Sequence, residues 1–189
     1  QDHIPRGKIL GGSSSINAMV YIRGQKVDFD DWQAAGNPGW GWDEVLAAYK
    51  AMEDNEAGAD DWRGQGGPLF VSKNRKGLHW LVEDYIAACG EAGLPYNPDF
   101  NGATQEGAGT YQMTIKGRRR NSAARAFLHP AMRRPNLRVI TQAQVLRVVS
   151  EGARAVGVEY LRDGQRKILR AKAEVILSAG AIGSPQLLQ

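Results

Sequence analysis

The sequence predicts a mixed α/β (α+β) chain, and three observations carry that reading. A glycine-rich loop at residues 7–23 opens toward a helix start. Apolar residues then recur at helical spacing between glycine- and proline-rich loops. The last third switches to short alternating runs that read as strands. At 189 residues the chain is long enough to bury ~70% of its unfolded surface. Hydrophobic and charged fractions of 42% and 23% are ordinary for folded domains and exclude a disordered or fibrous class.

The first element is the most informative. Gly11-Gly12 runs into Ser13-Ser14-Ser15, and an apolar stretch from Ile16 to Ile22 follows, interrupted only by Asn17. Glycine lets backbone amides approach a ligand closely, serine caps free donors, and a helix start favours negative charge. A phosphate or pyrophosphate is the natural occupant. Read alone, Gly-Gly-Ser-Ser-Ser also fits a flexible linker. The amide of Asn17 in an apolar run calls for a partner, of which a ligand is one candidate. The spacing fits neither a phosphate-binding P-loop nor a serine-hydrolase elbow.

Downstream, Asp28 to Ala35 reads as a short helix stopped by Gly36. Asp43 is placed to cap a second helix with Val45, Leu46, Tyr49 and Met52 on one face. Gly66-Gly67-Pro68 precedes a short strand over Leu69–Ser72. Leu81, Val82, Tyr85, Ile86 and Cys89 mark a third helix, with Gly93 and Pro95 past its end. A fourth, around Ser122, is expected to run to Leu128 and stop before Pro130. Strands are expected at Leu137–Thr141, Val145–Val149, Ala155–Leu161 and Gln165–Leu169, with Asp163-Gly164 as a hairpin turn. Ala173–Leu177 reads as a buried strand that opens through Ser178–Gly183 into a helix capped by Ser184, with Pro185 in its first turn. Small residues there leave room for a ligand at a sheet's carboxyl edge; tight strand–helix packing explains them equally.

The net charge of +4 is mildly basic. Arg118-Arg119-Arg120 and Arg133-Arg134 read first as solvated faces and second as contacts to a cofactor phosphate. No aromatic interleaving points to nucleic acid. One cysteine, Cys89, excludes an internal disulfide, reads as a small core residue, and fits a reducing, cytoplasmic compartment. No run reaches the ~20 apolar residues of a bilayer span. The chain starts at Gln1 and stops at Gln189 a few residues into a helix, so both ends read as cut.

Gly7 to Tyr21 resembles, across its length, the first signature of the glucose–methanol–choline family of FAD-dependent oxidoreductases, and Ser178 to Leu188 resembles the start of the second. Asp28–Trp32, Trp40-Gly41-Trp42, Gly66–Leu69, Gly117-Arg118-Arg119 and Ala155–Val158 are similar too. The likeness spans essentially all 189 residues and is greatest to the bacterial choline and aliphatic-alcohol dehydrogenase branch.

That resemblance implies a parallel-sheet flavin-binding part (residues 1–66 and 116–189) and part of an antiparallel-sheet substrate domain (67–115). It implies cofactor contacts at Leu10, Gly11, Gly12 and Ser13 along the FAD phosphates and ribityl chain. Asn17, Ala18, Met19 and Val20 would meet the reactive flavin edge. Val145 would lie at the adenine end, and Ala179 and Gly180 beside the cofactor near the sheet's carboxyl edge. Ile16 stands where some family oxidases carry a flavin-linking histidine, which implies non-covalent FAD.

The implied reaction is oxidation of a primary alcohol, choline or an aliphatic alcohol, to an aldehyde, with quinone or oxygen as acceptor. A quinone would imply peripheral association with the inner membrane. The family's amino-terminal pyrophosphate loop and carboxy-terminal active-site histidine are not matched here. His3, His79 and His129 match neither catalytic position and show no metal-like spacing, so no catalytic residue and no metal ligand is nominated. Two alternatives share the scaffold: a non-redox hydroxynitrile lyase holding structural FAD, and a flavin-binding piece inert by itself.

Overall fold

A computed structural model describes residues 4–73 and 78–189. It divides into two compact units, Gln1–Pro135 and Asn136–Gln189. The mixed helix-and-strand class holds, with small sheets: one parallel pair and two antiparallel pairs in the first unit, and a three-stranded antiparallel sheet in the second.

In the first unit, β1 (Val20–Tyr21) pairs antiparallel with β4 (Gln112–Met113). Helix α1 (Lys26–Ala34) starts on a capping box, in which the Gln25 N–H donates to Asp28 Oδ2 at 2.7 Å. It ends where Gly36 adopts φ 97°, a left-handed position that glycine takes without steric cost. Helix α2 (Trp42–Met52) is not capped by Asp43, as the sequence suggests. Asp30 reaches across from α1 instead, its Oδ1 accepting the Trp42 N–H at 3.1 Å, and a cap from another helix has no local sequence signature. The two helices close over Phe29, whose ring lies 5.6 Å from Trp32, 5.7 Å from Trp42 and 6.2 Å from Tyr49.

From α2 the chain passes directly into β2 (Glu53–Asn55), parallel to β3 (Leu69–Val71). Helix α3 (Leu81–Glu91) follows. Cys89 on α3 is only half-buried, not a core residue, because that face is only partly covered. β5 (Ile115–Lys116) and β6 (Arg119–Arg120) form a hairpin that turns on Gly117 and Arg118, both with positive φ. The fourth helix does not stop before Pro130. It widens to a π turn over Ala124–Leu128, where the His129 N–H reaches Ala124 O, and continues as α4 (His129–Ala131). The wide turn accommodates a residue that has no N–H and whose ring crowds the preceding turn.

The core of this unit is unusually polar. Arg23 and Glu53 are both buried and paired. Asn55 Nδ2 donates to the other carboxylate oxygen at 2.6 Å, and Arg23 also donates to Trp62 O at 2.5 Å. The guanidinium sits 5.1 Å from the Tyr49 ring centroid. Asn101 completes the knot: Oδ1 accepts the Arg23 N–H at 2.8 Å, and Nδ2 donates to Tyr21 O at 3.1 Å and Gln112 Oε1 at 2.8 Å. Burial pushes the Tyr21 hydroxyl above its ordinary pKa, against the pull of Arg23.

In the second unit, β7 (Gln144–Glu151), β8 (Arg154–Arg162) and β9 (Gln165–Arg170) form the antiparallel sheet in sequence order. Asp163 and Gly164, at φ 52° and 71°, make the expected two-residue turn. Residues 137–141 form no strand, nor do 173–177, and Ile176 is 76% exposed rather than buried. A strand exists only through a paired neighbour, and these runs have none among the described residues. Helix α5 spans Gly180–Leu188, starting before Ser184, so Pro185 falls inside it. The Ser184 hydroxyl instead accepts the Ala179 N–H at 2.9 Å, ahead of the helix.

Candidate functional site

The glycine–serine segment does not feed a long helix. Gly12–Ser15 make a single short 3-10 turn, after which the chain bends away into β1. The bend is held from both sides. Inside the loop, the Ser14 hydroxyl donates to Gly11 O at 2.5 Å, the Ser15 hydroxyl donates to Leu10 O at 2.9 Å, and Ser13 Oγ accepts the Gly7 N–H at 3.3 Å. From outside, the Ala123 N–H donates to Ser14 Oγ at 2.9 Å. Arg120 Nη1 donates to Ser14 O at 3.2 Å and to both Asn17 O and Asn17 Oδ1 at 2.7 Å. The segment is therefore shaped by contacts more than 100 residues away in sequence, which a flexible linker lacks.

Two glycines are indispensable for different reasons. Gly11, at φ 90°, lies so close to its surroundings that a Cβ would meet Ser15 Oγ at 2.5 Å and Ala124 Cβ at 3.1 Å. Gly12, at φ 55°, faces open space with no atom within 4 Å of a would-be Cβ. One glycine packs the loop down; the next leaves its outer side free for a ligand. Met19 also has positive φ, 63°, which is strained for a long side chain. Its N–H donates to Asn17 Oδ1 at 3.0 Å, and its carbonyl accepts from the Thr114 N–H at 2.8 Å and hydroxyl at 3.2 Å.

Leu10 to Val20 thus form one continuous feature of the first unit. Leu10, Asn17, Ala18 and Val20 are exposed; Gly11, Gly12, Ser13 and Met19 are half-buried. Asn17 has protein partners, Arg120 and Met19, which the sequence did not disclose. Of the arginine cluster, Arg118 and Arg119 lie exposed, as a solvated face should, whereas Arg120 is half-buried and turned onto the loop. Next to it Asn121 is buried, and its side-chain Nδ2 has no partner among the described residues.

In the second unit, Val145 is half-buried on β7, paired with Tyr160, and a bulge follows at Val145/Arg147. Ala179 and Gly180 are exposed at the start of α5, Gly180 with φ 85°. The Ala179 N–H is already engaged by Ser184.

A cleft of about 870 Å³ in the first unit is lined by Phe29, Trp32, Trp40 and Tyr49 with Asp28 and Glu44, and by none of residues 10–20. It marks the seam between α1 and α2, not the glycine loop. His79 is exposed, its Nδ1 accepting the Leu81 N–H at 3.3 Å, and His129 is exposed on α4; His3 lies outside the described residues. Among the described residues no three His, Cys, Asp or Glu side chains stand close enough to hold a metal ion. No helix among them is long and apolar enough to cross a membrane.

The loop thus combines a left-handed glycine pair, a serine-stitched turn and a strained residue at its exit, on a mixed α/β scaffold. Comparison with known proteins gives the class. The GMC oxidoreductase family model matches residues 2–189, so the chain belongs to the GMC oxidoreductases. It is 48% identical over 184 residues to mitochondrial choline dehydrogenase of Mus musculus, covering 97% of this chain and 31% of that protein. It is 45% identical over 184 residues to an oxygen-dependent choline dehydrogenase of Brucella ovis, covering 97% and 33%.

Among solved structures it resembles pyridoxine 4-oxidase from Mesorbium loti, with TM-score 0.89 and 37% identity over 97% of this chain and 36% of that one. It also resembles an FAD-dependent oxidoreductase from Chaetomium thermophilum, with TM-score 0.88 and 31% identity over 97% and 34%. The chain spans about a third of the length of these relatives.

Proposed function

We propose that this chain supplies the flavin-cradling loop of an FAD-dependent oxidoreductase that oxidises a primary alcohol, choline or an aliphatic alcohol, to its aldehyde. The observation that carries the reading is the loop itself: crowded at Gly11, open at Gly12, left-handed again at Met19, and pinned from Arg120 and Thr114. These residues fit a bound dinucleotide, because nothing stands within 4 Å of a would-be Cβ at Gly12, so a ligand could approach the backbone there. Bound FAD would supply the hydride acceptor. The protein's part is to fix the geometry of cofactor and substrate. Relatives named choline dehydrogenases support the alcohol class and choline as the first substrate to try.

Within this reading Leu10, Gly11, Gly12 and Ser13 follow the cofactor's phosphates and ribityl chain. Asn17, Ala18, Met19 and Val20 border the reactive edge. Val145 serves the adenine end, and Ala179 and Gly180 lie beside the cofactor. Residues 1–66 and 116–189 belong to the flavin part and 67–115 to the substrate part. FAD is held non-covalently, with Ile16 in place of a linking histidine. The protein works in the cytoplasm, at the inner membrane's surface if a quinone is the acceptor.

The test is to purify the full-length protein and record its visible spectrum. A flavin band that bleaches anaerobically with choline or a medium-chain alcohol is expected. A colourless protein indifferent to added FAD would refute the assignment.

A further inference from the structure

The contacts of Arg120 point beyond the assignment of the loop to what shapes it. β6 ends at Arg120, directly after the Gly117–Arg118 turn, and its guanidinium reaches back over 100 residues of sequence to the glycine–serine segment. A single nitrogen, Nη1, meets three acceptors there: Ser14 O, Asn17 O and Asn17 Oδ1. Asn17 Oδ1 also accepts the Met19 N–H, so one side-chain oxygen ties the arginine to the strained residue. With Oδ1 occupied twice, the Asn17 amine is the end of the amide left to face outward; it makes no hydrogen bond among the described residues. The hairpin register that places Arg120 opposite Ile115 belongs to the same stretch as Thr114, which holds the Met19 carbonyl. Both anchors of the left-handed residue thus come from one hairpin.

We propose that Arg120 is a positioning residue: it orients the Asn17 amide and holds the left-handed turn at Met19, and thereby sets the shape of the cofactor cradle. This rests on the flavin reading above. Arginine suits the task because its planar, permanently charged guanidinium holds Nη1 in a fixed direction against these acceptors, whereas a lysine ammonium on a flexible stem is not pre-oriented. A merely structural surface arginine would have water, not three loop acceptors, around its inner nitrogen.

The test uses the full-length protein with Arg120→Ala, Arg120→Lys, Asn17→Ala and the Arg120→Ala/Asn17→Ala pair, each checked for native circular dichroism. FAD is titrated into the apoprotein, and amide hydrogen exchange of residues 13–19 is followed without FAD. Expected are a rise of tenfold or more in the FAD Kd for Arg120→Ala, a smaller rise for Arg120→Lys, and partial recovery of Arg120→Ala by added guanidinium. The double variant should lie within about twofold of the worse single variant, because both act through one interaction. Exchange at 13–19 should quicken in Arg120→Ala and not elsewhere. Wild-type affinity in folded Arg120→Ala, or losses that multiply in the double variant, would overturn the proposal. Should the wild type take up no FAD, the flavin reading fails by itself, and unchanged exchange in Arg120→Ala would then separately refute the clamp. If Arg120→Ala does not fold, Arg120→Lys decides: wild-type FAD affinity with unchanged exchange at 13–19 in that variant overturns the proposal.

Discussion

Two glycine-rich segments of this chain look alike in sequence and end up very different. Residues 7–20 are held by hydrogen bonds, with Arg120, Thr114 and Ala123 fixing backbone and side chains from 95 to 109 positions away. Residues 173–183 are mostly exposed and pair with no strand among the described residues before α5 begins at Gly180, where the local Ala179–Ser184 bond sits. Glycine permits a ligand-shaped turn in both places, but distant donors enforce it only in the first. A glycine-rich motif is therefore held in one shape by residues that lie nowhere near it in sequence.

The most direct way to break that contrast is to remove the platform beneath the first segment. Arg23, two residues past β1, is buried with Glu53 at the start of β2, so Glu53→Ala strands an unpaired guanidinium in the core. The expected loss is about 3–5 kcal/mol, read by chemical denaturation, because removing one partner of a buried pair leaves the other uncompensated. Little change in the denaturation midpoint would mean that the polar knot does not support the unit that carries the loop.

A matched pair of glycine substitutions sharpens the comparison. Gly11 and Gly180 share φ near 90°, at 90° and 85°, but a Cβ meets nearby atoms at Gly11 and open space at Gly180. Conformational strain alone costs about 1–2 kcal/mol for a left-handed non-glycine residue. Gly180→Ala should show that much, and Gly11→Ala more, since the crowding against Ser15 and Ala124 adds to it. Equal midpoint shifts in denaturation would indicate that the first loop yields as easily as the second.

Thr114→Val probes the grip on Met19 more gently. The hydroxyl bond to Met19 O is lost while the backbone N–H bond stays, so a cost of about 0.5–1.5 kcal/mol is expected in the same measurement.

What the sequence made legible follows the same division. Helices α1 to α3 and the β8–β9 hairpin rest on local signals: Gly36 past the end of α1, apolar spacing, and Asp163-Gly164. The Gly-Gly-Ser signature marked residues 10–20, and family membership is carried by motifs visible in the chain itself. What could not be read is what is not local. Asp30 capping another helix, Arg120 within a run of three arginines, and Arg23 meeting Glu53 thirty positions on leave no spacing rule behind. Residues 137–141 and 173–177 failed as strands for the complementary reason. Their composition is right for a sheet, but composition does not supply a neighbour.

The smallest effect tests the second unit by itself. Glu159 on β8 is paired with Arg147 on β7 and Arg166 on β9, at 2.6 and 3.3 Å, so one carboxylate ties all three strands. The hydrogen bond from Arg147 is the main reason its pKa lies below the usual carboxylate value, opposed by desolvation and helped by Arg166. A carboxyl whose folded pKa is depressed adds stability that is fully present above its unfolded pKa, near 4.5, and is lost as pH falls through the folded value. Thermal melts of the wild type from pH 6 downward should therefore show a decline below about pH 4.5 that is shallower in Glu159→Gln, since Gln cannot titrate. Parallel profiles for the two proteins would show that the cross-strand pairing contributes nothing beyond the ladder.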